Sequence, residues 1–356
     1  YALTCMVLDH YYGHKDEKGI TDFDTYLTEQ GLKEDMISTD PAKSAKAVKT
    51  LFNRLFDTGH EGVLISNSLF GLNAKKKSLE DGDIFAKISS VISPLADTFL
   101  TMGTEQTGQI LDSGIMELLR PEKYKDGPRV DFEGDTAILY FPSFASNLER
   151  ESSFYEAPPT EEDYSTSTYA FFYDAFRQIK EHPEIKNVVI DLSDNGGGMS
   201  SALTCTLGFL SKDGDVTVSF QDERDKGYHE EYYHIDTNLD GVADDQDGYG
   251  DQYDFYIFTG PSSYSCGTAL PYYAQQQGLA KIIGAQPGGG DCCVNYLASP
   301  NGVFGSFSGE FKLGSITEDG FVSDEKTVIP DIVPEGDVTD LYFNPAAIAE
   351  LIHTAA

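Results

Sequence analysis

The chain has 356 residues, enough to bury a large core and to divide into two or three domains. Its 59 acidic and 25 basic residues give a formal net charge of −34, which excludes nucleic acid and anionic membrane surfaces as partners, because both are held by Lys and Arg. The acid is spread along the chain and 12% of residues are aromatic, the pattern of a folded protein with an acidic surface rather than a disordered tail.

Hydrophobic runs are too short to span a bilayer, and no signal peptide is visible. The chain starts at Tyr1 rather than Met, from which a trimmed upstream segment, a signal or an anchor, is expected. The five cysteines, Cys5, Cys205, Cys266, Cys292 and Cys293, are too few for a disulfide scaffold and lack zinc spacing. They read for the most part as free small hydrophobes.

Residues 1–64 are expected to form a helical segment. Asp40-Pro41 is a helix start, an N-cap followed by proline at the first position. Ala45, Val48, Leu51, Phe52, Leu55 and Phe56 then recur at helical spacing, and Gly59 is placed to end the helix. Residues 65–128 are an intervening, mostly helical segment. From 129 to 356 the character changes to strand-helix-strand units in series: "TAILYFPSF", "STYAFFYDAFRQIKEH", "NVVIDL", "SSALTCTLGFL", "VTVSF", then "DFYIFT" and "KIIG". That succession predicts an α/β core with an acidic insert at 236–251.

Four stretches carry chemistry. Ser265 stands where the strand "DFYIFT" meets a helix, and free N–H groups with a positive dipole end there favour negative charge. A capping serine is the plainer reading of that position. The surroundings are not G-x-S-x-G, since Ser263 holds the first glycine position, nor S-x-x-K, since Thr268 holds the lysine position. "VVIDLSDNGGGMSS" ends a buried strand in three glycines, Gly196 to Gly198, whose amides could serve half of an oxyanion hole or simply close a tight turn. "LFDTGHEG" sets His60 in a glycine-flanked turn, where a catalytic role requires a partner. "DTNLDGVADDQD" places oxygens at positions 1, 3, 5, 9 and 12 of a calcium-type loop: Asp236, Asn238, Asp240, Asp244 and Asp247, with Gly241 at the sharp turn. The competing reading is an acidic surface loop.

Together with "SYSCGTALPYYAQQQGLAKIIG", "VIPDIVPE" and "STDPAKSAKAVKTLFNRLFDTGHEG", the first three of these stretches resemble the C-terminal-processing (tail-specific) serine peptidases and their tricorn-like relatives. The resemblance implies a crotonase-like (ClpP-like) α/β peptidase core behind a helical N-terminal part, with no recognisable PDZ domain. It implies Ser265 as nucleophile, Cys266 N–H as one oxyanion donor and a second donor within the glycine triplet, with Gly197 favoured. The lysine of one branch has no counterpart in "GAQPGGGDCC", and Lys281 matches no catalytic position. The tricorn-like branch implies His60 as base and Asp324, or its neighbour Glu325, as the acid that orients it.

The expectation is a serine endopeptidase acting on polypeptides. It needs no cofactor for catalysis, carries a structural Ca2+ if the loop binds one, and is extracytoplasmic and bacterial. The oligomeric state is left open. The competing class is a catalytically inactive peptide- or ligand-binding protein on the same scaffold.

Overall fold

The computed structural model describes residues 1–55, 60, 62–66, 114, 116–298, 303–325 and 327–354. Of the mostly helical segment expected over residues 65–128, residues 67–113 and 115 lie outside the described residues, as does the helix stop at Gly59. The chain divides into two compact units. The first takes Tyr1–Gly114, Gln221–Gly227 and Cys292–Lys312, and the second Ile115–Phe220, Tyr228–Asp291 and Leu313–Ala356.

In chain order the described α-helices are α1 (Ala2–Tyr11), α2 (Phe23–Glu29), α3 (Lys33–Met36), α4 (Pro41–Leu55), α5 (Glu122–Lys125), α6 (Leu148–Glu151), α7 (Thr168–Lys180), α8 (Ser200–Leu210), α9 (Cys266–Gln276) and α10 (Pro345–Thr354). The strands are β1 (Gly62–Ser66), β2 (Arg129–Glu133), β3 (Thr136–Tyr140), β4 (Asn187–Asp191), β5 (Asp215–Asp222), β6 (Gly227–His234), β7 (Asp254–Thr259), β8 (Lys281–Gly284), β9 (Cys292–Ala298), β10 (Val303–Thr317) and β11 (Gly320–Ser323).

In the first unit, α1 to α4 close around Leu8, Phe23, Leu27, Leu51, Phe52 and Leu55, with Leu297 and Phe307 in the same cluster. The start of α4 is the one the sequence indicates: Asp40 Oδ1 accepts the Ala42 N–H at 3.0 Å, satisfying one of the helix's orphan donors. β1 and β9 each pair antiparallel with the first part of β10.

The second unit is built on a five-stranded sheet of order β2-β3-β4-β7-β8. β3, β4, β7 and β8 run parallel, and β2 is an antiparallel edge. Alternate residues of each central strand enter different cores, as the two-residue period requires. Ala137, Leu139, Val188, Ile190, Phe255 and Ile257 pack with residues of α7, α8 and α9. Ile138, Tyr140, Val189, Tyr256 and Phe258 pack with residues of α10. Both faces are therefore covered, and this is why "NVVIDL" and "DFYIFT" read as near-continuous apolar runs. The fold is mixed α/β. β10 continues from the first unit into the second, where its end pairs with β11 (Gly314 opposite Ser323).

Candidate active site

Parallel pairing of β4 with β7 sets Asp191 opposite Phe258. The turns leaving those two strand ends therefore come side by side, in the position where parallel sheets hold ligands. One turn is Leu192–Met199. The other runs from Gly260 to Ser265.

Ser265 occupies the N-cap position of α9, yet its side chain makes no capping hydrogen bond. Its backbone lies at φ +54°, ψ −120°, a region a residue with a Cβ enters only under strain. The surroundings hold it there. Its N–H donates to Gly289 O at 2.8 Å, and its carbonyl accepts from Thr268 N at 2.8 Å and Ala269 N at 2.9 Å. The Ser263 hydroxyl donates to Leu192 O at 2.7 Å, tying the two turns together. The Thr268 hydroxyl lies 2.9 Å from Gly289 O and accepts the Gly289 N–H at 3.1 Å. A half-buried hydroxyl on a strained strand-to-helix corner, unspent on the cap, is the arrangement a nucleophile needs.

Gly197 packs directly against that corner. A Cβ on it would stand 2.7 Å from Ser265 Cβ and 3.1 Å from Cys266 N, and its φ is +99°. Its own N–H, however, donates to Asn195 Oδ1 at 2.9 Å. Gly198 is bridged in parallel to Phe144: the Phe144 N–H donates to Gly197 O, and the Met199 N–H donates to Phe144 O. In that pattern the amide and carbonyl of Gly198 itself point away from Phe144. The carbonyl accepts from Cys266 Sγ at 3.3 Å, so the Gly198 N–H lies on the side of the α9 start.

Asn195, which is not among the residues the sequence singles out, organises both turns. It is fully buried. Its amide nitrogen donates to Phe141 O at 2.9 Å, its Oδ1 receives Gly197 N–H, and its main-chain carbonyl receives Tyr264 N–H at 3.0 Å. A buried amide flanked by glycines was the available signal. Next to it, Asp194 receives Arg120 Nη2 at 2.6 Å and the Tyr140 hydroxyl at 2.8 Å.

The two acidic candidates part company. Glu325 Oε2 accepts the N–H groups of Gly290 at 2.5 Å and Asp291 at 3.2 Å, on the loop whose Gly289 carbonyl holds Ser265. Asp324 is wholly buried, and among the described residues neither of its carboxyl oxygens has a hydrogen-bond partner. Burial, reinforced by Asp291 and Glu325, pushes its carboxyl well above the usual carboxylate range. His60 is buried, at 7% exposed, in the first unit just before β1. Lys281 starts β8 opposite Tyr256, three residues before the Gly284–Thr259 level, so it sits about 10 Å back from the strand ends.

The acidic loop folds upon its own amides. Asp236 accepts Leu239 N–H at 2.7 Å and Gly241 N–H at 2.9 Å, and Asn238 accepts Asp240 N–H at 2.8 Å. Asp240 and Asp244 accept from Val242 at 2.8 Å and Gln246 at 2.9 Å. Asp247 is buried and takes Thr237 N–H at 2.8 Å and His234 Nε2 at 2.9 Å. Gly241 has the left-handed φ of +79° that the sharp turn demands. No three of Asp236, Asp240, Asp244 and Asp247 bring ligand atoms within 4.8 Å of one another. Among the described residues, none of the five cysteines is joined in a disulfide.

The family described as Peptidase family S41 matches residues 135–333. No curated protein matches the chain by sequence. Among solved structures, a photosystem II D1 C-terminal processing protease is similar at 17% identity and a TM-score of 0.38, over 59% of this chain and 47% of that one. A lipoprotein from Streptococcus agalactiae is similar at 13% identity and 0.43, over 78% and 91%. The tricorn protease is similar at 16% and 0.36, over 68% of this chain but only 19% of its own. The chain thus spans about half the length of the D1 processing protease.

Proposed function

The chain belongs to peptidase family S41, and on that premise we propose that it is a serine endopeptidase with Ser265 as its nucleophile. The observation that carries this is the strained Ser265 backbone combined with a hydroxyl the helix cap does not use. Ser265 Oγ attacks the scissile carbonyl as His60 takes its proton. His60 then protonates the leaving amine, and water releases the acyl group by the reverse sequence. The oxyanion is assigned to the N–H groups of Cys266 and Gly198. Gly198 replaces Gly197 in that role because the Gly197 amide is engaged by Asn195. Asp324 is assigned to orient His60. Glu325 is already spent on Gly290 and Asp291, whereas Asp324 retains both oxygens for a donor. The substrate is a polypeptide, and the serine mechanism needs no cofactor.

A fluorophosphonate probe is expected to modify Ser265, and Ser265→Ala to abolish labelling and peptide cleavage together. Full cleavage by the alanine variant would remove the assignment. For the acidic loop we propose calcium only in a closed form that the cation itself induces, since the carboxylates are not gathered beforehand. Millimolar calcium should then raise the melting temperature by mass action, and Asp240→Ala should cancel the rise. An unmoved melting temperature leaves the loop an acidic surface turn.

A further inference from the structure

We infer that an open groove of about 610 Å³ beside the glycine turn, walled by Leu148 and Met199, binds the side chain of the substrate residue that supplies the scissile carbonyl, and that it selects a large apolar one. The inference rests on the peptidase reading of Ser265 and names its substrate class. Leu148 is 70% exposed and Met199 53% exposed. Apolar side chains left in water beside a reactive corner mark a surface that something apolar covers. Ala145, Ser146, Asn147 and Thr166 complete the wall.

Position fixes the occupant. Met199 follows Gly198 directly, and the carbonyl oxygen of the scissile bond is assigned to the Gly198 amide. The side chain of the residue bearing that carbonyl leaves the backbone one atom away from it. It therefore falls within about one residue's width of the turn, ~3.5 Å, where Met199 opens the groove.

The walls are preformed. Met199 N–H donates to Phe144 O at 2.8 Å, holding the turn against the 144–148 loop. Ala145 N–H donates to Thr168 Oγ1 at 2.9 Å. The Glu151 carboxylate receives the Ser146 hydroxyl at 2.9 Å and Asn147 N–H at 3.2 Å, so it braces the loop. The same carboxylate disfavours an acidic occupant. A thioether wall adapts to aliphatic and aromatic guests alike.

The test uses matched peptides that differ only at the residue before the cleaved bond: Leu, Ala or Asp. The intact chain is expected to favour Leu over Ala in kcat/KM by about 10- to 100-fold, the range a buried aliphatic side chain supplies. Leu148→Asp and Met199→Asp should collapse that ratio to within about threefold, and Met199→Leu should restore it. Leu148 is exposed enough that its substitution leaves folding intact. An unchanged ratio in both aspartate variants, with cleavage intact, overturns the groove while the peptidase reading stands. A second arm measures binding of the Leu peptide to the Ser265→Ala chain, where Leu148→Asp should weaken affinity about tenfold. If the probe does not label Ser265 and no peptide is cut, the peptidase reading falls. The binding arm still decides the groove, because equal affinity with and without Leu148 removes it.

Discussion

Three adjacent glycines stand at the site, and the structure gives each a different tolerance for one added methyl group. At Gly196 a Cβ meets nothing within 4 Å, so Gly196→Ala should change stability by no more than about 0.5 kcal/mol. At Gly197 the new Cβ lands 2.7 Å from both Ser265 Cβ and Tyr264 O, where ordinary contact begins at 3.4 Å. The left-handed φ adds about 1–3 kcal/mol and the overpacking another ~1–3 kcal/mol, so a loss of about 2–6 kcal/mol is expected. Relief of that overlap pushes Ser265 aside, and a shift of about 1 Å is enough to cost ~10²-fold in rate. At Gly198 the Cβ would stand 2.1 Å from the Phe144 carbonyl oxygen, which belongs to backbone and cannot rotate away. Gly198→Ala should therefore be the least stable of the three. Thermal melts and second-order labelling by a fluorophosphonate read both quantities on the same samples. Gly197→Ala that melted with the parent chain and was labelled at the parent rate would refute the reasoning, as would equal behaviour of all three variants.

His60→Ala should be nearly as inactive as Ser265→Ala, on the scale of ~10⁴-fold, while Lys281→Ala stays active. The converse result in peptide cleavage by folded variants would return a lysine mechanism. Asp324 has a raised folded-state pKa, so the cost of burying it grows as pH rises from about 3.9 toward that value. Asp324→Asn should leave the melting temperature at pH 7 undiminished, differ less from the parent as pH falls below ~4, and slow cleavage less than His60→Ala. A drop of several degrees at neutral pH would mean that burying this carboxyl carries no net cost in the fold. His234 lies between Asp247 and Asp215, whose carboxylates raise its pKa. The stability it contributes is complete below about pH 6.5 and lost as pH rises through its folded value. Melts taken from pH 6 to 9 should show that decline, and His234→Gln should flatten it.

The elements β3, α7, β4, α8, β5, β7, α9 and β8 were legible in the sequence, because alternation, apolar runs and caps are local properties. The stretches "NVVIDL" and "DFYIFT" could be read as buried strands, Asp40-Pro41 as a helix start, and Ser265 as a strand-to-helix corner. Family membership was legible too, since it rests on the order of such stretches. The antiparallel edge β2, the arm β6 and the strands β9 to β11 were not assigned, because a strand's identity depends on partners remote in sequence. Nor could local pattern decide between a capping and an uncapped Ser265, between Gly197 and Gly198, or between Asp324 and Glu325. Those choices turn on contacts between distant segments: Asn195 to Phe141 across 54 residues, Ser263 to Leu192 across 71, Glu325 to Gly290 across 35. The chain specifies which groups could react. Only the packing of the turns at the ends of β4 and β7 decides which hydroxyl is left unspent, which amide is already engaged and which carboxyl is buried without a donor.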